Sequence, residues 1–310
     1  MNLLFLFMDG IGLGENDPST NPFAGISLPT LQKLLGNRNL TINSAPFVGD
    51  IASLLAIDAN LNVQGLPQSA TGQAVILTGK NIPASIGYHY GPKPNPEVAQ
   101  FIKIGNLFCA LEDMGLKTGL LNAYPPSYFE AIKNGRRLYS AIPLAVKSAG
   151  IALRNDRDLI NGQAISADFT GQGWREHLGY NDIPVISPYE AGQRLAQLSS
   201  DLDFAFFEYW LSDYAGHRQD LSQAKQLLIS LDQVLNGLID SWSLAEGLIL
   251  ITSDHGNMED LSTRRHTSNP VPAILIGDMK YRSQFADSLH DLTDIYPAII
   301  RFFQPAHNVI

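Results

Sequence analysis

A chain of 310 residues with 45% hydrophobic content can bury a full α/β core and still hold an insertion. Its 21 basic against 30 acidic residues leave a formal charge of -9, which excludes a nucleic-acid scaffold built on excess lysine and arginine. The single cysteine, Cys109, excludes an internal disulfide framework and suits a reducing compartment, and no apolar run approaches the roughly twenty residues that cross a bilayer. A cytoplasmic protein without membrane or nucleic-acid partners is expected; oligomeric state is not legible.

Residues 3–8 read as a short buried strand that stops at Asp9-Gly10. They lack the basic start and long apolar core of a secretion signal. A Gly/Asn/Pro-rich loop over 10–29 leads to a short helix over 28–35. Residues 69–78 read as a helix stopped by Gly79. A second helix is expected over 98–114 and a strand over 116–122. The stretch 124–186 is rich in Gly, Asn and Asp, has weak periodicity and carries Arg136, Arg137, Arg154 and Arg157. It reads as a small cap inserted between core segments 1–123 and 187–310, or as solvated surface loops. Beyond it follow a helix over 188–198, a strand over 204–211, a helix around Val234 and Leu235, a strand over 248–252 and a late strand over 273–276. Alternating strands and helices without repeats predict a layered α/β fold.

Five carboxylates or imidazoles cluster late in the chain: Asp213 with His217, Asp254 with His255, and His266. The first two sets follow strand-like runs, and Asp9 closes a third. In open α/β sheets the carboxyl ends of the strands are where ligands bind. Alone, Asp213 and His217 would be an ordinary pair one helical turn apart, and His255 a polar turn. Together they predict a metal site. Mixed Asp/His ligation suits manganese or zinc and does not choose between them.

Ser69 opens a helix, where the macrodipole and free N–H groups favour a phosphate. An alcohol there is unreactive at neutral pH unless a metal lowers its pKa. Taken alone, Ser69 or Thr71 would be an N-cap. His89, past that helix, would line the pocket or serve its own loop. His177, His290 and His307 have no supporting context and are expected on the surface.

The strings Asp9-Gly10, Ser69-x-x-Gly72, Asp213-x-x-Gly-His217, Asp254-His255-Gly-Asn257-x-Glu259 and His266-Thr-Ser-Asn-Pro resemble the alkaline phosphatase superfamily. Within it, the last three are most similar to cofactor-independent phosphoglycerate mutase, and phosphopentomutases match more loosely. The resemblance spans roughly residues 1–90 and 190–280. It implies a three-layer α/β/α sandwich with a small inserted cap and a centre of two divalent ions, manganese or zinc. By motif matching, Asp213, His217 and His266 would hold one ion, and Asp9, Asp254, His255 and the Ser69 oxygen the other. Some superfamily members use threonine as nucleophile, but counting back from Gly72 selects Ser69 over Thr71. Glu259 would support the loop carrying Asp254.

The chain departs from the mutases at Ala70 and Gln73, where they carry Glu and His, and it is too short for their large arginine-bearing lid. A lost lid favours water as the acceptor. The expected function is therefore a two-metal phosphatase or phosphodiesterase acting on a small phosphate ester through a phosphoserine intermediate. A phosphomutase is the alternative, with Arg136, Arg137, Arg154 or Arg157 clamping the substrate. A catalytically silent metal-binding protein ranks last.

Overall fold

The computed structural model describes residues 1–304; His307 lies outside them. Among the described residues a 7-stranded sheet is built from β1 (Asn2–Met8), β2 (Phe47–Val48), β3 (Ala52–Ile57), β4 (Thr118–Leu120), β5 (Phe204–Tyr209), β6 (Gly247–Thr252) and β7 (Val271–Gly277). Their order is β2-β3-β7-β6-β1-β5-β4. β1 sits between β5 and β6, parallel to both, and β4 extends the parallel run. On the other side β7 is antiparallel to β6, β3 to β7 and β2 to β3.

The pleat sorts side chains between two cores. Leu3, Phe5 and Phe7 join one with Phe204, Phe206, Leu248 and Leu250, beneath the helices Ser69–Thr78, Pro96–Ile104, Leu107–Asp113, Ala141–Ser148 and Ile295–Phe303. Leu4, Leu6 and Met8 join the other with Ala205, Phe207, Ile249 and Ile251, beneath Pro29–Leu34, Pro188–Ser200 and Leu221–Ser241. Covered on both faces, β1, β5 and β6 are fully or almost fully buried and so read as continuous apolar runs. The three-layer α/β/α sandwich expected from the sequence is what forms.

Several local expectations change. The helix expected over 98–114 is two helices, because Gly105 leaves the helical region and the Asn106 side chain accepts from the N–H groups of Phe108 and Cys109 to start the second. The strand expected over 204–211 ends at Tyr209, and the chain winds at once into the helix Leu211–Arg218. β3 reads Ala-Ser-Leu-Leu-Ala-Ile without a clear alternation; pairing with β7, from Ala52 opposite Ile276 to Ile57 opposite Val271, makes it a strand.

The stretch 124–186 divides in two. Ala141, Ile142, Ala145 and Val146 enter the same core as Phe5 and Phe206. Leu159, Ala164, Trp174 and Ile183 form a small cluster of their own with Ala123. Backbone bridges from Asn122 to Ile165 and from Ala123 to Arg154 tie this second half to the chain leaving β4.

The helices Pro188–Ser200 and Leu221–Ser241 cross backbone to backbone. A Cβ at Gly192 would fall on the Val234 carbonyl oxygen, and one at Gly237 on the Tyr189 carbonyl oxygen. Neither acceptor is a flexible side chain that can swing aside. Gly192→Ala or Gly237→Ala should therefore lower stability by about 3 kcal/mol, the upper end of the usual overpacking cost. A urea midpoint that falls at unchanged slope is the expected readout, and an unchanged midpoint would contradict the close crossing.

Candidate metal centre

β1, β5 and β6 share a register, with Phe7 opposite both Glu208 and Thr252, so their carboxyl ends finish level. Asp9 follows β1 directly. Asp254 and His255 follow β6 after Ser253. Beyond β5 the helix Leu211–Arg218 places Asp213 in its first turn and His217 in its last, stacked on one face. β7 runs the opposite way, so the loop entering it carries His266 to the same edge. The Ser69–Thr78 helix begins there too.

These elements make two overlapping donor groups, Asp213 with His217 and His266, and Asp9 with Asp213 and His255; within each group the ligand atoms lie within 4.8 Å of one another. Asp213 belongs to both. The motif match had placed Asp254 rather than Asp213 beside Asp9 and His255; Asp254 lies against the second group, with Oδ2 3.7 Å from His255 Nε2. It is fully buried, and neither of its carboxylate oxygens has a hydrogen-bond partner; Asp9 Oδ1 is likewise orphaned. Burying such oxygens unpaired is costly, and a cation is the natural partner.

The histidines agree. His217 Nδ1 lies 2.8 Å from the Arg264 carbonyl and His266 Nδ1 2.7 Å from the Pro67 carbonyl. A carbonyl only accepts, so both Nδ1 atoms carry the proton, and the neutral rings would offer Nε2 as the ligating nitrogen. Those two Nε2 atoms converge at 3.2 Å, with Asp213 Oδ2 3.3 Å from that of His217 and Oδ1 3.5 Å from that of His266, a convergence that a shared cation would satisfy. The donor set therefore fits a divalent metal of the imidazole and carboxylate-binding kind.

Electrostatics point the same way. Burial, and then the Asp254 charge, push the Asp9 carboxyl well above its ordinary range. Burial holds Asp254 up at about 6. Burial opposes charge on His255, yet Asp254, Asp9 and Asp213 together keep it at about 10. Burial and the neighbouring His255 lower His266 to about 4. Protons here neutralise a crowded set of acids, which is the role a cation takes over on binding.

Ser69 opens its helix with Oγ 3.0 Å from His255 Nε2. Thr71 is occupied instead: its hydroxyl donates toward the Gln68 and Tyr90 carbonyls and accepts from the Tyr90 N–H at 3.1 Å. Gln73, where the mutases carry histidine, donates from Nε2 to Asp9 Oδ2 at 3.2 Å. A cleft of about 390 Å³ opens over this edge, lined by Ser69, Asp213, His217 and His266 together with Arg264 and Arg265. Arg136, Arg137, Arg154 and Arg157 do not line it. Arg137 lies over the Tyr128 ring, 4.8 Å from its centroid, and Arg154 donates to the Gln163 carbonyl. His89 faces the backbone of Val63 and Asn60 and is also outside the cleft lining, while His177 and His290 are exposed. The pair Arg264 and Arg265 escaped sequence reading although it directly precedes His266, because the matched motif starts at the histidine.

Residues 188–306 match the Metalloenzyme superfamily. Over those residues the chain carries a domain of this metalloenzyme superfamily. It is similar to the 2,3-bisphosphoglycerate-independent phosphoglycerate mutase of Acetivibrio thermocellus, at 29% identity over 152 residues that cover 45% of this chain and 27% of that one. The mutase of Methylobacillus flagellatus is 30% identical over 130 residues, covering 39% and 25%. The chain thus spans about a quarter of the length of the curated relatives it matches. Among solved structures, a protein of Pyrococcus horikoshii superposes with a TM-score of 0.56 at 14% identity, covering 97% of this chain and 96% of that one. The alkaline phosphatase of the Antarctic bacterium TAB5 gives 0.50 at 12% identity and 97% of each chain. These likenesses establish the fold. Superfamily membership implies divalent metal ions. Among the described residues no helix is long and apolar enough to cross a membrane.

The motif strings interlock across the sheet edge. A Cβ on Gly10, which has φ +69, would sit 2.7 to 2.8 Å from Asp213 atoms; one on Gly72 would sit 2.9 Å from Asp254, and one on Gly216 2.5 Å from the Asn257 side chain. Each motif glycine lets another string's residue approach. Glu259, almost fully buried, ties three loops: its Oε2 accepts from the N–H groups of Gly12 at 2.8 Å and Asn257 at 2.7 Å, and its Oε1 from Asn269 Nδ2 at 3.0 Å and from the Thr267 hydroxyl. Asn257 in turn donates to Asp213 Oδ1 at 2.7 Å. Glu259→Gln replaces one acceptor oxygen by a donor facing N–H groups. It should weaken manganese binding by roughly 10- to 100-fold in titration calorimetry while leaving the far-ultraviolet circular dichroism unchanged. Unaltered affinity would remove Glu259 from the support of the site.

Glu208, at the end of β5, is buried beside this edge, and Tyr124 Oη donates to its Oε2 at 3.5 Å. Burial, and then the Asp9 charge, push its carboxyl up to about 8. An unfolded glutamate titrates near pH 4.3, so between there and about 8 the native state holds the proton that the unfolded chain has lost. The native state then binds more protons, and its stability falls as pH rises through that window. In chelator-treated protein, Glu208→Gln should match the parent near pH 4 and melt several degrees higher near pH 9. An equal melting temperature at both values would contradict the raised carboxyl.

Proposed function

We propose that this chain is a metal-dependent phosphohydrolase that cleaves a small phosphate ester through a phosphoserine formed on Ser69. The observation that carries the reading is Ser69 Oγ, 3.0 Å from His255 Nε2, at the start of a helix and on the wall of the cleft that exposes Asp213, His217 and His266. Asp213, His217 and His266 would hold one divalent ion, and Asp9, Asp254 and His255, with Asp213 within reach, the other. When bound, the ions supply Lewis-acid stabilisation of attacking and leaving oxygens in an in-line displacement. Manganese and zinc both suit these donors.

The chain's own groups do the rest. Ser69 Oγ lies 3.0 Å from His255 Nε2, so the hydroxyl already stands beside the donor atoms that would hold the second ion and faces the cleft from a fixed helix start. First-turn N–H groups have no intrahelical acceptor; Thr71 gives its own to the Tyr90 carbonyl, leaving those of Ser69 and Ala70 for phosphoryl oxygens. The Oγ–phosphorus bond forms as the ester oxygen leaves, and water then breaks it, releasing phosphate and restoring the hydroxyl. Water access suits the geometry, since the His217 side chain is 44% exposed on the cleft wall. A phosphomutase is the second reading, favoured by the mutase names of the curated relatives.

Phosphate release from phosphomonoesters and diesters with manganese or zinc decides between them; isomerisation without free phosphate would establish the mutase. Ser69→Ala should cut kcat by a thousandfold or more, roughly as removal of a nucleophile does elsewhere, with bound metal retained. Undiminished turnover by that variant would sink the phosphoserine route.

A further inference from the structure

The arginine pair on the cleft wall carries a statement about the substrate. Arg264 and Arg265 line the same cleft as Ser69, Asp213, His217 and His266 and are both exposed. Among the described residues neither has a carboxylate within 4.0 Å. Two unpaired cations therefore border the donor groups of a protein whose formal charge is -9.

Arg264 is also held in place. Its Nε donates to Gln219 Oε1 at 3.1 Å, and Gln219 Nε2 donates to the Leu261 carbonyl at 3.0 Å, so the amide is locked from its far side. The Arg264 carbonyl accepts from His217 Nδ1 at 2.8 Å, which fixes the backbone beneath the side chain to the donor group itself. With Nε engaged, the guanidinium keeps its terminal N–H groups for another partner. That planar fork matches a carboxylate or phosphate two bonds at a time. The cleft, about 390 Å³, lies at the small end of ligand sites and suits a phosphate ester with a short carbon skeleton.

Resting on the phosphoryl-transfer reading above, we infer that Arg264 and Arg265 form an anion clamp for a second acidic group on the substrate. The substrate class is then a small phosphate monoester bearing a further carboxylate or phosphate. The transferring phosphate sits at Ser69 and the donor groups; the second anion reaches the arginines at the rim. The clamp comes from the loop leading to His266 and not from the 124–186 stretch.

Two phosphonates that ester hydrolysis cannot cleave isolate the clamp: 3-phosphonopropionate carries a terminal carboxylate, and propylphosphonate has a methyl in its place. In titration calorimetry of the manganese-loaded protein, 3-phosphonopropionate should bind at least about tenfold tighter, and Arg264→Gln/Arg265→Gln should bring the ratio to within about twofold. Arg136→Gln/Arg157→Gln, an equal loss of charge outside the cleft, should keep the ratio. The proposal is overturned if the parent shows no preference, if the clamp variant retains it because the carboxylate sits elsewhere, or if Arg136→Gln/Arg157→Gln loses it equally. Turnover is not read in this titration. Phosphate release without the preference refutes the clamp alone, and the preference without phosphate release refutes the hydrolase reading alone.

Discussion

The arrangement around the sheet edge depends on one buried carboxylate. Glu259 takes hydrogen bonds from the loop after β1, the loop after β6 and the loop before β7, and so ties at one point three segments that the strand register and single backbone bonds bring side by side. Through Asn257 the same tie reaches Asp213 on a fourth. Acids and imidazoles that repel or compete when free are thereby held converging, which is the preorganisation a multivalent cation site needs. The interlocking glycines follow from the same demand: loops drawn this close leave no volume for a Cβ at positions 10, 72 and 216.

Much of this was legible in the sequence because the sheet converts linear pattern into position. A continuous apolar run such as residues 3–8 or 248–252 is what a strand covered on both faces must look like, and a parallel register places whatever follows each run at one edge. Asp9, Asp254 with His255, and Asp213 with His217 after the run 204–211, were all singled out by that logic as candidate ligands. The site was less legible wherever long-range contact decides. Nothing local shows that Asp213 reaches both donor groups. The arginines at 264 and 265 look like solvated loop residues until His217 and Gln219, more than forty positions earlier, are seen to hold that loop.

The middle of the chain shows the opposite failure. Weak periodicity and many Gly, Asn and Asp residues suggested a module apart, yet the Ala141–Ser148 helix fills the same core as the first strand. Composition reports how much surface a segment shows to water and not where its few apolar residues go. β3 was missed for a related reason, since its strand character is supplied by its partner β7. The sheet is consequently mixed. It is the antiparallel β7 that turns the loop before a strand, rather than the loop after one, toward the donor edge.

The donor atoms are drawn from positions between 9 and 266, and no segment of the chain carries a complete group by itself. A short chelating loop can capture its ion from a disordered chain and fold around it; this centre cannot, because its geometry exists only after β1, β5 and β6 have paired. Capture of an ion by these groups would thus be a late event in the life of the molecule. The cation reads the quality of a finished sheet rather than directing its assembly.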